Sequence, residues 1–157
     1  MTLDELAALI EATAEGFRRS ATHWQFSHRG IPMACLTDPS FDRMRFIAPI
    51  TEVRVLDAET KDALLEANFH TALDARYGTS NGLLFAAFIH PLGSLSPALA
   101  RSALDQVASL VETFGTHYSG GTLEFISRED DDDFDLGDLD DEDEDDDDDG
   151  DGGPLLN

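Results

Sequence analysis

Apolar and polar positions alternate with two periods along the first 115 residues, and the changes of period mark out the elements. Thr2 followed by Glu5 is a capping box, and Leu3, Leu6, Ile10, Ala14 and Phe17 behind it recur at steps of three and four, which predicts an amphipathic helix over about 3–19. The period then drops to two. Trp24, Phe26 and His28 alternate with polar residues, Arg29-Gly30 supplies a turn, and Met33 and Cys35 resume the alternation, so a hairpin of two strands is expected. Pro32 lacks an amide donor and belongs at a strand start or on an edge. Beyond the turn cluster Thr37-Asp38-Pro39-Ser40, Met44, Phe46 and Ala48 alternate with Arg43 and Arg45, which reads as a third strand with one wet face.

A second helix is expected to start at Asp57 and to bury the stripe Leu65, Phe69, Ala72 and Leu73. Asn81-Gly82 then joins a short strand near 76–80 to the run Leu83 to Ile89, which is apolar on both faces and should therefore lie inside the sheet. Ser96 before Pro97 is an N-cap followed by proline at the first helical position. Leu99, Ala103, Leu104, Val107, Leu110, Val111 and Phe114 give that third helix a broad apolar face, ended by Gly115. Strands joined by hairpins, rather than strict alternation with helices, indicate an α+β fold: a two-layer, mostly antiparallel sheet of about five strands in the order αβββαββα. Thr116 to Ser127 is ambiguous, with Gly120-Gly121 as a break and Leu123 and Phe125 as a last packing segment.

Element order, the Leu64-Leu65-Glu66-Ala67-Asn68-Phe69 helix, the Asn81-Gly82 hairpin with its apolar strand, and the Leu92 to Leu95 segment leading into the last helix together resemble the YbjN family and the class I type III secretion chaperones. The resemblance spans about residues 3–115. It implies a small cytoplasmic bacterial protein without cofactor or catalytic residues that acts by holding another polypeptide. On the chaperone side it implies an acidic homodimer that keeps an extended effector segment on its surface; on the YbjN side it implies a regulatory role. The chain departs from the chaperones by carrying the acidic segment 129–157 beyond the last helix.

Charge sharpens this picture. Of 33 acidic residues in the 157-residue chain, 18 lie between Glu129 and Asp151, leaving 15 acids against 10 bases in residues 1–128. The sequence thus divides into an α+β domain, 1–128, and a disordered acidic tail, 129–157, with too few apolar residues to offset the entropy of ordering. A polyanion of this kind repels nucleic acid, so no nucleic-acid partner is expected. The longest apolar run, Leu83 to Ile89, is far shorter than the roughly 20 residues needed to cross a bilayer, so no membrane span is expected either. A start that mixes four acids into Thr2 to Glu15 does not read as a secretory signal, and a single cysteine, Cys35, suits a reducing compartment.

Chemical constellations are sparse. Gly78-Thr79-Ser80-Asn81-Gly82 matches the letters of a nucleophile elbow, but a strand follows it where the elbow needs a helix. Histidines 23, 28, 70, 90 and 117 lack metal-ligand spacing, and no glycine-rich loop precedes a Lys-Ser or Lys-Thr pair. No catalytic residue, metal site or cofactor site is expected. Asn68, a lone amide within Leu64 to Phe69, is read as satisfying main-chain groups of a neighbouring sheet or loop. The candidate partner-binding residues are Arg43 and Arg45, two apart on one strand and able to grip a carboxylate, and Phe134, Leu136 and Leu139, which interrupt the acidic tail. The sequence thus points to a non-enzymatic, chaperone-like, homodimeric module that holds an extended segment of a protein partner. Its alternative is a small regulatory protein whose acidic tail competes for a basic surface on a partner.

Overall fold

A computed structural model describes residues 1–21 and 23–115. Within them three helices, α1 (Leu3–Thr13), α2 (Ala58–His70) and α3 (Pro97–Thr113), accompany six strands, β1 (Glu15–Arg19), β2 (His23–His28), β3 (Ile31–Asp38), β4 (Arg43–Glu52), β5 (Arg76–Ser80) and β6 (Leu83–His90). The strands form one sheet in the order β1-β2-β3-β4-β6-β5, and every neighbouring pair is antiparallel. The α+β fold is the expected one, and β6 lies inside the sheet as its two apolar faces required. The expected break at residue 128, the segment 116–127 and the acidic segment with Phe134, Leu136 and Leu139 lie outside the described residues.

One element differs from the expectation. The first helix stops at Thr13, and Glu15–Arg19 forms an edge strand paired with β2, which makes six strands and the order αββββαββα. The helix ends where Ala14 turns extended, at φ −114 and ψ 171, and Gly16, at φ +65, then accommodates the irregularity between Glu15 and Arg18 in the pairing with β2. Phe17 then leaves the helix face assigned to it and meets Trp24 edge-on at 6.1 Å, while the Arg19 guanidinium lies 5.0 Å from the centre of the indole ring.

Local signals account for the remaining boundaries. Thr2 and Glu5 form the reciprocal capping box of α1; the Asp57 side chain accepts from the Thr60 amide, and Ser96 accepts from Leu99 ahead of Pro97. Both tight hairpins carry consecutive positive φ angles, at Arg29-Gly30 and Asn81-Gly82, as two-residue turns between twisted strands require. Pro32, exposed, is the second residue of β3.

The core lies between one face of the sheet and the helices. A cross-strand row of buried side chains, Trp24, Cys35, Phe46 and Phe88, runs over β2, β3, β4 and β6. Phe46 meets Phe26 edge-on at 6.2 Å and stacks on Phe88 at 6.3 Å. Leu6 and Ile10 of α1 and Leu104 and Val107 of α3 close this layer, with the buried alanines 100, 103 and 108 letting α3 approach the sheet closely. The Tyr77 hydroxyl donates to the Leu110 carbonyl at 3.0 Å, and the Gln106 side chain accepts from the Asp74 and Ala75 amides, so the end of α2 and the start of β5 are tied to α3.

Candidate protein-binding surfaces

The second helix places its apolar residues differently from the sequence expectation. Leu64, Ala67 and Thr60 face inward, whereas Leu65 and Phe69 on α2 and Leu73, three residues past its end, are 68, 84 and 70% exposed; of the expected buried stripe only Ala72, also beyond the helix, packs against the core. The reason lies in Asn68. Its Nδ2 donates to the Tyr77 carbonyl at 3.0 Å and its Oδ1 accepts from the Tyr77 amide at 2.8 Å, so the side chain acts as one rung of a further strand on the β5 edge. That contact, which bears out the structural reading of Asn68, fixes the rotation of α2 and turns the Leu65–Phe69 side away from the core. Next to it, a cleft of about 320 Å³ is lined by Val53, Leu56, Leu64, Leu65, Tyr77 and Leu84 among others.

The opposite face of the sheet carries a second surface. Arg43 and Arg45 alternate with the fully buried Met44 and Phe46 and therefore project together away from the core. Arg45 lies directly across from Leu36 on one side and from Ile89, 58% exposed, on the other. A parallel row, Arg18, Gln25, Ala34, Ile47, Ala87 and Arg76, crosses all six strands with an arginine at each end. Ala34, Ile47 and Phe85 are buried on this face yet stand outside the core cluster. The alternative partner for Arg43, the neighbouring Asp42, is engaged elsewhere: its carboxylate accepts from the Gly93 amide at 2.7 Å, and among the described residues Arg43 donates only to the Asp42 carbonyl.

The candidates for chemistry are dispersed. Among the described residues no group of three or more His, Cys, Asp or Glu side chains could hold a metal ion. Ser80 ends β5 and the Asn81-Gly82 turn leads into β6, so no helix stands where a nucleophile elbow would need one. His28 bonds Asp105 on α3 at 2.8 Å, and the adjacent Arg29 bonds Glu112 at 2.5 Å, which fastens the β2–β3 hairpin to that helix. Burial pushes the Cys35 thiol well above its ordinary range, leaving it protonated and unreactive at neutral pH. No described helix is long and apolar enough to cross a membrane.

No protein-family model and no curated protein matches the chain. Solved structures do share its fold. A chain of the ExsC–ExsE complex is similar over 78% of this chain and 100% of its own length, with a TM-score of 0.57 at 13% identity. A chain of the HopA1–SchA chaperone–effector complex is similar over 71% and 88%, with a TM-score of 0.54 at 12% identity. A chain of the ExoT–SpcS complex from Pseudomonas aeruginosa matches over 73% and 99%, with a TM-score of 0.50 at 14% identity. At such identities the likeness is one of fold, and it bears out the chaperone side of the resemblance in fold. The YbjN side rests on the sequence pattern alone. Each of these neighbours is a chain of a protein–protein complex.

Proposed function

We propose that this protein is a non-enzymatic, chaperone-like module that holds an extended segment of a partner protein. The observation that carries the reading is the shared fold with a chain of a chaperone–effector complex and with a chain of the ExsC–ExsE complex, taken with exposed apolar surface on α2. The Leu65, Phe69 and Leu73 stripe is assigned to a second copy of the chain. A twofold interface must be complementary to itself, which an apolar helix face satisfies and a face of like charges does not. The sheet face bearing Arg43 and Arg45 is then left to the partner. The working compartment on this reading is the cytoplasm, where the lone thiol of Cys35 stays reduced.

Sedimentation of the full chain tests the pairing. A dimer is expected at micromolar concentration, and Leu65→Ser with Phe69→Ser is expected to give a folded monomer, since neither side chain supports the core. Native mass spectrometry on complexes captured by the tagged chain tests the holding role: a retained polypeptide of unaltered mass supports it. A partner cleaved or covalently altered on release argues against it.

A further inference from the structure

We infer that the sheet face opposite the core takes an extended, acidic segment of the partner, with carboxylates two residues apart and branched apolar side chains between or beside them. This inference rests on the holding role proposed above and names the chemistry of what is held.

The distribution of cations carries it. Among the described residues three arginines pair with a carboxylate: Arg19 with Asp4, Arg29 with Glu112 and Arg54 with Glu52. Asp4 and Glu112 stand on helices, Glu52 is held by Arg54 at the end of β4 remote from Arg43, and Asp38, across from Arg43, accepts from the Ser40 and Phe41 amides. The arginines of that face are different. Arg18 and Arg45 form no ion pair among the described residues, while Arg43 and Arg76 donate only to main-chain carbonyls, those of Asp42 and of Leu73 and Ala75. Each guanidinium retains donors suited to a carboxylate fork.

Spacing gives the ligand its form. Arg43 and Arg45 stand two residues apart on one strand, about 7 Å along it, which equals the i to i+2 repeat of carboxylates on one side of an extended chain. Arg45 is flanked across the strands by Leu36 and the exposed Ile89, so a carboxylate set on its guanidinium has apolar surface on either side. An acidic segment without apolar side chains would leave Ile89 wet; an apolar segment without acids would leave the guanidinium groups unpaired. Long-range repulsion from the rest of the acidic chain does not decide the contact, because at physiological salt charges are screened beyond about 8 Å and the local cations dominate.

Fluorescence anisotropy on the full chain with short labelled peptides reads this out. A peptide alternating aspartate with valine is expected to bind saturably and to weaken as salt rises. Peptides alternating lysine with valine, or aspartate with serine, are expected to bind at least about tenfold more weakly, as is the first peptide to Arg43→Glu with Arg45→Glu. Circular dichroism confirms that this exposed pair of substitutions leaves the fold intact, and Arg45→Gln provides a milder version that only removes the charge. Ile89→Ser is expected to weaken the aspartate–valine peptide several-fold while leaving the aspartate–serine peptide unaffected. Equal binding of the aspartate–valine peptide to wild type and to the double variant would overturn the inference, and so would equal binding of the lysine peptide. Equal binding of the aspartate–serine peptide would reduce the face to a general anion attractor and would also overturn it. Capture of a partner by the double variant as efficiently as by wild type would sink this inference and leave the holding role standing. Loss of capture by wild type itself would sink the holding role instead.

Discussion

Replacing Asn68 with alanine isolates the contact that orients α2 on the sheet. The wild-type amide makes two hydrogen bonds to one residue of the edge strand, to both the N–H and the C=O of Tyr77. Tyr77 is buried, so alanine removes both bonds where water has restricted access. At about 1 kcal/mol for each net bond, with a further contribution from the restricted access of water, the loss should be about 2–3 kcal/mol. Equilibrium unfolding in urea followed by the fluorescence of Trp24, the sole tryptophan and 2% exposed, measures it. Glu66→Ala on the exposed side of the same helix serves as the control and should change stability by less than about 0.5 kcal/mol. Amide exchange supplies a local reading: the Tyr77 amide should lose protection in Asn68→Ala beyond what the global loss explains. A change below about 0.5 kcal/mol, or a Tyr77 amide protected as in wild type, would refute the assignment of Asn68 as the group that closes the β5 edge.

Three further outcomes follow from the same structure. Ser96→Ala removes the acceptor for the Leu99 amide at the start of α3 and should cost about 1 kcal/mol by the same urea assay. Cys35, fully buried with its thiol pushed up, should resist alkylation in the native protein at pH 8 and react once urea unfolds it; rapid native labelling would contradict its placement on the inner face. Glu5 and Asp57 are held below the usual carboxylate range, Glu5 by bonds with Thr2 and Asp57 by bonds with Thr60. Their contribution is complete above the ordinary carboxylate pKa and is lost as pH falls through the lowered folded-state values. The thermal midpoint should therefore fall between about pH 5 and pH 2, and Asp57→Asn should flatten part of that fall.

Turn chemistry and caps made much of this fold legible from sequence, because their signals are local. Arg29-Gly30, Asn81-Gly82 and Ser96-Pro97 fix conformations through the residues themselves, and each stands where the pattern placed it. Two features were not legible. The step from Ala14 to Phe17 continues the helical period of α1, and only Gly16, one residue among several that a helix tolerates, marks the turn into β1. On α2 both Leu64 with Ala67 and Leu65 with Phe69 obey helical spacing, so periodicity could not choose the inward stripe; the hydrogen bonds of Asn68 to a strand nine residues later did. A helix with apolar residues on two sides was itself a signal that one side stays exposed in the single chain. Arg43 and Arg45 were readable as a wet strand face, as the structure has them.

The central claim, that this exterior holds another polypeptide without changing it, is tested most directly by titrating a purified captured partner into the full chain and weighing both proteins after dissociation. Saturable binding at a fixed ratio, with each mass as before mixing, is the predicted result. A partner that turns over, or leaves with a bond made or broken, would contradict it.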